Sequence, residues 1–397
     1  MIKKEKTMFK IQTFNNIASI GLEQFPKEHY EISSEIKQPD AMILRSFNLH
    51  EITLPNSLKA VARAGVGVNN VPVEILTKKG IPVFNAAGAN ANAVCELVIT
   101  GMLLACRNIP EALNFVNQLK GDNKTLDEMV EKQKKQFVGN ELSGKILGVI
   151  GLGAIGVKIA NAALALEMQA IGFDPAITVR RAWELSSEVK QASNMNEVLS
   201  QADFITVHVP LMDKTHHLIN ESRLQIIKPQ AILLNFSRHE IIDEKALLNT
   251  LNNKKLARYV CDFPCETLLH HPKVIALPHL GASTEEAEIN CAVMVAKNLR
   301  NYLESGNIRS SVNFPEVNMP RNGGVRLCIA NANVPNMVGQ ISTALAKSNL
   351  NIIDMLNKSK EEVAYTLIDV DAAAIDEKTL KMIQHIKGVL MVRILET

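Results

Sequence analysis

The sequence predicts an α/β protein with two lobes and a small α/β tail. Three observations carry that reading. From about residue 145 to 280, short apolar runs alternate with helix-length segments, which implies a parallel, doubly wound sheet. A glycine-rich turn follows the first of those runs directly. Beyond a stretch rich in Pro, Asn and Gly at 315–324, the remaining segments run strand, helix, strand, strand, helix, strand, a ferredoxin-like order.

Taken in order, IPVFNAAGANANAVCE at 81–96 is a short strand, a loop of small residues and a helix start. The helix from Asn92 is apolar nearly all round, so burial is expected. The lysine-rich stretch GDNKTLDEMVEKQKKQFVGNELSG reads as helix and surface loop crossing between lobes. Lys145–Gly151, Ala170–Asp174, Phe204–Val209, Ala231–Phe236, Ala257–Asp262 and Val274–Leu277 read as strands buried on both faces. Asp243 is placed to cap the helix after it, and Ser283-Thr284 followed by two glutamates starts a long amphipathic helix. SSVNF at 310–314 is a last strand candidate before the linker-like 315–324. In the tail, strands are expected at Val325–Ala330, Asn351–Leu356, Glu362–Val370 and Val389–Ile394, with helices at Met337–Ser348 and Asp376–Ile386.

Composition narrows the function classes. The 397 residues are 47% hydrophobic and 21% charged, as in ordinary globular proteins, and the formal charge of +2 offers no field to attract nucleic acid or an anionic membrane. No stretch is long and apolar enough to span a bilayer, and MIKKEKTMFK lacks the apolar run of a secretory signal. The six cysteines are scattered, and only Cys261 and Cys265 lie close together. That favours reduced thiols in a cytosolic protein over disulfides or a zinc site, so no metal is expected.

The turn is Gly151–Leu152–Gly153–Ala154–Ile155–Gly156, between the strand KILGVIG and a helix-forming run at 157–166. Gly151 permits the tight turn, Gly153 lets backbone approach a pyrophosphate, and Gly156 lets the helix pack on the strand. The helix start, with Ala154 and Ile155, offers free N–H groups to the phosphates. Asp174 ends the next strand, 18 residues past Gly156, where it would accept from the ribose hydroxyls. An acid there also repels a 2′-phosphate, by about 4 kcal/mol for unit charges 4 Å apart at a surface-like dielectric. The expected cofactor is therefore NAD, with Arg180 and Arg181 nearby as the counter-argument.

Oxidation of a secondary alcohol by such a cofactor needs a base for the hydroxyl proton and a cation for the carboxylate and forming carbonyl. Ligands of open α/β sheets sit at the carboxyl ends of strands. Arg238, Glu266 and His279 each follow a strand at that edge. They read as substrate-binding cation, imidazole partner and acid/base, respectively. Of the ten histidines, His216-His217 and His270-His271 read as surface pairs and His208 as a strand residue.

These residues carry a resemblance. ARAGVGVNNV, PVFNAAGANANAVCELV, FVGNELSGKILGVIGLGAIG, LPHLGASTEEAE and NVPNMVGQISTALAKSNLNIIDM stand in one order, from about Ala41 to Val370. The chain resembles D-2-hydroxyacid dehydrogenases, and within them the D-3-phosphoglycerate dehydrogenases with a C-terminal ACT domain. The resemblance implies a flavodoxin-like substrate domain in two parts, 1–98 and 287–316, a Rossmann-type NAD domain at 99–286 and an ACT-like regulatory domain at 323–397. It implies a cleft closing on substrate and the Arg238–Glu266–His279 triad. Beyond the glycine turn, it implies cofactor contacts at His208, Val209, Pro210, Phe236, Ser237, Asp262, His279 and Gly281. Arg45, Ser46 and Arg63 match positions near a phosphorylated substrate, and Val66, Gly67 and Asn85 match the backbone that holds its carboxylate. A homo-oligomer, dimer or tetramer, is implied through the NAD domains. So is an L-serine effector at Asn331, Asn333 and Asn351. The reaction implied is oxidation of 3-phospho-D-glycerate to 3-phosphohydroxypyruvate, the first step of serine synthesis.

The sequence departs from that family pattern in places. His239 follows Arg238 where glycine is usual, Ala87 replaces a proline, Asn69 an aspartate and Asn336 a glycine. Asn tolerates the left-handed backbone such a glycine would adopt. The glutamate of DFPCETLL has an alternative position at Thr267. Two other readings stay open: a dehydrogenase of another acid, such as hydroxypyruvate, glyoxylate or 2-oxoglutarate, and an NAD-sensing regulator without catalysis.

Overall fold

The computed structural model describes residues 8–396. The basic start at 1–7, read above as no secretory signal, lies outside the described residues. The chain divides into two compact units, Met1–Ala89 with Glu288–Thr397, and Asn90–Ala287.

The first unit opens with β1 (Phe9–Thr13), β2 (Tyr30–Ser33), β3 (Ala41–Leu44), β4 (Ala60–Arg63) and β5 (Val83–Asn85). They form a parallel sheet in the order β2-β1-β3-β4-β5, the flavodoxin-like doubly wound arrangement. All four residues of β3 are buried, as continuous apolar runs in a sheet covered on both faces require.

In the second unit, β6 (Ile146–Ile150), β7 (Gln169–Phe173), β8 (Lys190–Gln191), β9 (Phe204–Val207), β10 (Ile232–Asn235), β11 (Arg258–Cys261) and β12 (Val274–Ala276) also run parallel. Their order is β12-β11-β10-β9-β6-β7-β8. The chain lays β7 and β8 on one side of β6, then returns to start β9 on the other. That reversal opens a crevice at the carboxyl ends of β6 and β9. Apart from the two-residue edge strand β8, for which the sequence reading has no counterpart, each strand lies within the run read as a strand from sequence or one residue outside it.

The helix Ala91–Cys106 corrects one expectation. Its apolar composition suggested burial all round, yet only one face is buried, through Val94, Cys95, Val98, Met102 and Ala105, while Leu103 is exposed. Hydrophobic composition without a moment does not say which face finds a partner. The lysine-rich stretch forms the helix Asn123–Gln133, and the helix Ile109–Gln118 precedes it; neither buries a residue. Among the described residues no single helix is long and apolar enough to cross a membrane.

The tail carries β13 (Val325–Ala332), β14 (Ile352–Lys360), β15 (Val363–Val370) and β16 (Val389–Leu395), with helices Met337–Lys347 and Glu377–Gln384. The antiparallel sheet has the order β14-β15-β13-β16, the ferredoxin-like topology expected. Period-2 alternation gives it two apolar faces. Val325, Leu327, Ile329, Ile368 and Val370 pack with its own helices. Cys328, Ala330, Val363, Tyr365 and Leu367 join the core of the first sheet, with Phe84, Leu299 and Tyr302. The tail is therefore built into the first unit rather than appended to it.

Polar staples complete that junction. Arg326 is fully buried and satisfies every donor: Asp369 takes Nε and Nη2 at 2.6 and 2.7 Å, and the carbonyls of Ser305, Met319 and Pro320 take the rest. Arg393 lies over the Tyr302 ring, 4.3 Å from its centroid, and donates to the Leu303 carbonyl. Two cations thus meet the carboxyl end of the helix Glu285–Ser305, where its dipole favours them. The stretch 315–324, linker-like by composition, is partly core: Val317 and Met319 are buried, and Ile308 and Val317 exchange backbone hydrogen bonds. SSVNF is not a strand but a single bridge from Ser311 to Phe84. With Asn307 and Asn313 taking over backbone partners by side chain, the segment needs no sheet to satisfy it.

Candidate active site

The glycine turn lies at the crevice. Gly151 has φ +94°, and a Cβ on it would stand 2.7 Å from the His208 carbonyl oxygen. A Cβ on Gly156 would stand 2.0 Å from the Gly151 carbonyl oxygen, so close packing of helix on turn excludes any side chain there. Gly153 differs: a Cβ there would meet nothing within 4 Å. It opens the helix Ala154–Ala165, which has no side-chain cap. Uncapped N–H groups facing open space are what a pyrophosphate needs, so the residues present fit a dinucleotide.

Asp174 is fixed by the same turn. Its carboxylate accepts from Leu152 N–H at 2.8 Å and Ala176 N–H at 2.9 Å. Arg180 and Arg181, which weakened the argument from charge, both pair with Glu184, Arg180 at 3.2 Å. Helical spacing of three and four residues makes that pairing legible in hindsight.

His208 follows β9 and hydrogen-bonds Thr206 Oγ1 at 2.8 Å through Nε2, while its buried Nδ1 has no partner among the described residues. Burial pushes its pKa down to about 3, so the ring is neutral at ordinary pH. Val209 lines the Gly151 turn, with Cγ1 3.0 Å from the Cβ position. Pro210 is exposed, and its carbonyl accepts from Thr215 Oγ1. Phe236 is buried in the core, so only its backbone faces the loop.

Arg238 and His279 come together around Phe263. The guanidinium carbon of Arg238 lies 5.9 Å from the Phe263 ring centroid, and the His279 ring centroid lies 4.7 Å from it. Buried Asn235 shapes the arginine's turn. It accepts from Ser237 N–H and Oγ–H and donates to the Arg238 carbonyl at 2.8 Å. His239 brings no left-handed strain: it starts a 3-10 turn with its side chain half-exposed, 3.1 Å from the Glu240 carboxylate. The histidine loop is held by Asp262, whose carbonyl accepts from His279 N–H and whose carboxylate accepts from Leu280 and Gly281 N–H at 2.8 Å. Burial pushes the Asp262 carboxyl pKa up against those two N–H groups and the nearby His279. His279 itself has φ +56°, a costly conformation for a non-glycine residue that persists only where surroundings enforce it.

Glu266 is exposed, and among the described residues it makes no hydrogen bond to His279. The imidazole partnership expected from sequence is thus not formed here. Phe263, Asn235 and the positioning role of Asp262 were not read from sequence. Phe263 had one signal, its place between Asp262 and Glu266.

In the first unit, Arg45, Ser46 and Arg63 sit at the ends of β3 and β4. Arg63 Nε donates to the Arg45 carbonyl at 3.0 Å, and Arg45 pairs with Glu288. Asn15 Oδ1 accepts from Ser46 and Phe47 N–H. Asn85 Nδ2 donates to the Val66 carbonyl at 2.6 Å, which fixes the loop that includes Gly67. In the tail, Asn331 is buried and donates to the Ala332 carbonyl, Asn333 donates to the Glu361 carbonyl, and Asn351 is exposed. Asn336 has φ +63°, the left-handed turn its residue type tolerates.

Residues 99–281 match the family model described as D-isomer specific 2-hydroxyacid dehydrogenase, NAD binding domain. A D-3-phosphoglycerate dehydrogenase from Methanocaldococcus jannaschii is 36% identical over 82% of this chain and 61% of its own length. One from Escherichia coli strain K12 is 31% identical over 87% of this chain and 83% of its own length. The chain spans less than two thirds of the first of these relatives. Among solved structures, the apo form of Rhodotorula graminis D-mandelate dehydrogenase is similar in fold, with a TM-score of 0.65 and 21% identity over 79% of this chain and 100% of that one. With the glycine turn, Asp174 and the sheet order already pointing the same way, the chain belongs to the D-isomer-specific 2-hydroxyacid dehydrogenase family, and its second unit is the NAD-binding domain.

Proposed function

We propose that the protein oxidises 3-phospho-D-glycerate to 3-phosphohydroxypyruvate, and catalyses the reverse reaction, as the first step of L-serine formation. The observation that carries the chemistry is the meeting of Arg238 and His279 around Phe263, at the same carboxyl edge of the sheet as the glycine turn. NAD, when bound, supplies the hydride acceptor. His279 takes the substrate hydroxyl proton as the carbonyl forms, and Arg238 holds the carboxylate and carbonyl oxygen with its planar fork. Glu266 joins His279 in the substrate complex, since catalytic hydrogen bonds are often unformed before substrate arrives. Arg45 and Arg63 take the phosphate, and the names of the relatives support that substrate.

A second reading has its own observation. Arg45 is engaged by a carboxylate, which favours an unphosphorylated acid such as hydroxypyruvate. The purified protein, given NADH with phosphohydroxypyruvate, hydroxypyruvate, glyoxylate or 2-oxoglutarate, separates the two by rate. No NADH oxidation with any keto acid overturns the enzyme reading and leaves an NAD-sensing regulator. His279→Ala is expected to lower kcat by roughly 10²- to 10⁴-fold with NADH binding retained.

We also propose a homo-oligomer formed through the NAD domain. The helix Ile109–Gln118 buries none of its residues and exposes Leu113 and Val116. L-serine is the proposed effector of the tail, supported by the exposure of Asn333 beside the Asn336 turn; Asn351 is exposed at the other end of the sheet, where its carbonyl accepts from Asp371 N–H. Six free thiols fit a cytoplasmic protein.

A further inference from the structure

We infer that Glu288 is the resident counter-ion of the proposed phosphate site and sets the preference between phosphorylated and unphosphorylated acids. This rests on the reading that Arg45 and Arg63 receive the phosphate. Glu288 lies in the first turn of the helix Glu285–Ser305 and belongs to the same unit as both arginines. Its carboxylate pairs with the Arg45 guanidinium. The Arg45 carbonyl in turn accepts from Arg63 Nε at 3.0 Å and Asn70 Nδ2 at 3.2 Å, which ties the Arg63 side chain to the backbone that carries Arg45. Cys291, three residues beyond Glu288, marks the same patch. Burial pushes its thiol pKa up, Arg63 and Arg45 draw it down, and Glu288 adds to the rise.

Two features make the pair an exchangeable one. Arg45 and Glu288 are each 43% exposed, so water screens their attraction. The helix that carries the carboxylate is fixed at both ends, by Thr284 Oγ1 accepting from Ala287 N–H and by Arg326 on the Ser305 carbonyl. A phosphate dianion offers Arg45 bidentate acceptors and more charge than a carboxylate, so it displaces Glu288. The displaced side chain stays tethered close by and repels the newcomer. An acid without phosphate leaves the pair intact.

The test is Glu288→Gln, assayed with NADH against phosphohydroxypyruvate and hydroxypyruvate, and with inorganic phosphate as competitive inhibitor. The ratio of kcat/KM, phosphorylated over unphosphorylated, is expected to rise roughly three- to tenfold. The gain appears in KM rather than kcat, and the inhibition constant of phosphate falls in step. Glu288→Asp keeps the charge and restores most of the original ratio, which a packing role would not predict. Arg45→Ala raises KM for the phosphorylated acid and abolishes the effect of Glu288→Gln. If Arg45→Ala raises that KM but Glu288→Gln leaves the ratio within twofold, or improves both acids equally, the inference falls and the phosphate reading stands. If Arg45→Ala and Arg63→Ala both leave KM for the phosphorylated acid where it was, the phosphate reading itself falls. Should Glu288→Gln fail to fold, Glu288→Asp against Arg45→Ala decides by the same ratio.

Discussion

Arg326 and Arg45 each face one carboxylate in the same unit, and they do opposite things. Arg326 is fully buried with Asp369, and three backbone carbonyls complete its donor set. Arg45 and Glu288 are both half in water. A buried charge pair cannot exchange partners without exposing a bare charge to low dielectric, so it serves as a staple. A half-exposed pair has water as an alternative at every moment, so an anion can replace one member at little cost. Burial, rather than residue type, separates the structural arginine from the one proposed to bind substrate.

The largest expected effect tests the staple. Arg326→Ala should lower unfolding stability by about 3–5 kcal/mol, because it leaves Asp369 buried and unpaired. A urea midpoint within experimental error of the parent would remove the distinction drawn above. Replacing both partners together with Met and Leu should recover much of the loss.

Next in size is an acid effect on the NAD domain. His208 titrates near 3 when folded and near 6.5 when unfolded. Above pH 6.5 it contributes no pH dependence. Between about 6.5 and 3 the unfolded chain binds the proton and the folded one does not, so stability falls as pH falls, by at most about 1.4 kcal/mol per unit. Urea titrations of the NAD-free protein at pH 7, 6 and 5 measure the slope. His208→Gln should flatten it, and an identical slope in the variant would show that other groups dominate.

The smallest effect belongs to the exposed pair. Arg45→Ala should change unfolding stability by less than about 1 kcal/mol, while KM for the phosphorylated acid rises. A loss as large as that of Arg326→Ala would make Arg45 a staple as well and erase the contrast.

Much of the site was legible because it is local in sequence. Gly151 and Gly156 each answer a steric demand set by neighbours within a few residues or by the adjacent strand, Gly153 leaves open space at the helix start, and Asp174 closes the same turn. Arg238 and His279 were found by one rule, that strand ends face the crevice. Phe263 was overlooked because an aromatic residue beside two candidates has no signature of its own. The Glu266–His279 hydrogen bond did not form in the structure, because loop positions close in sequence order do not dictate where side chains point.

What the sequence by itself determined is the set of repeating elements, the dinucleotide turn and the edge of the sheet where chemistry takes place. Hydrophobic period and glycine sterics act over a few residues, and that range is enough for them. Only the tertiary structure decided that the tail shares a core with the first sheet, since both faces of a buried strand look equally apolar in sequence. It alone paired Arg45 with a carboxylate 243 positions away and Arg326 with one 43 away. Long-range charge pairs leave no periodic trace, and burial, which separates a staple from an exchangeable site, exists only once the chain has folded.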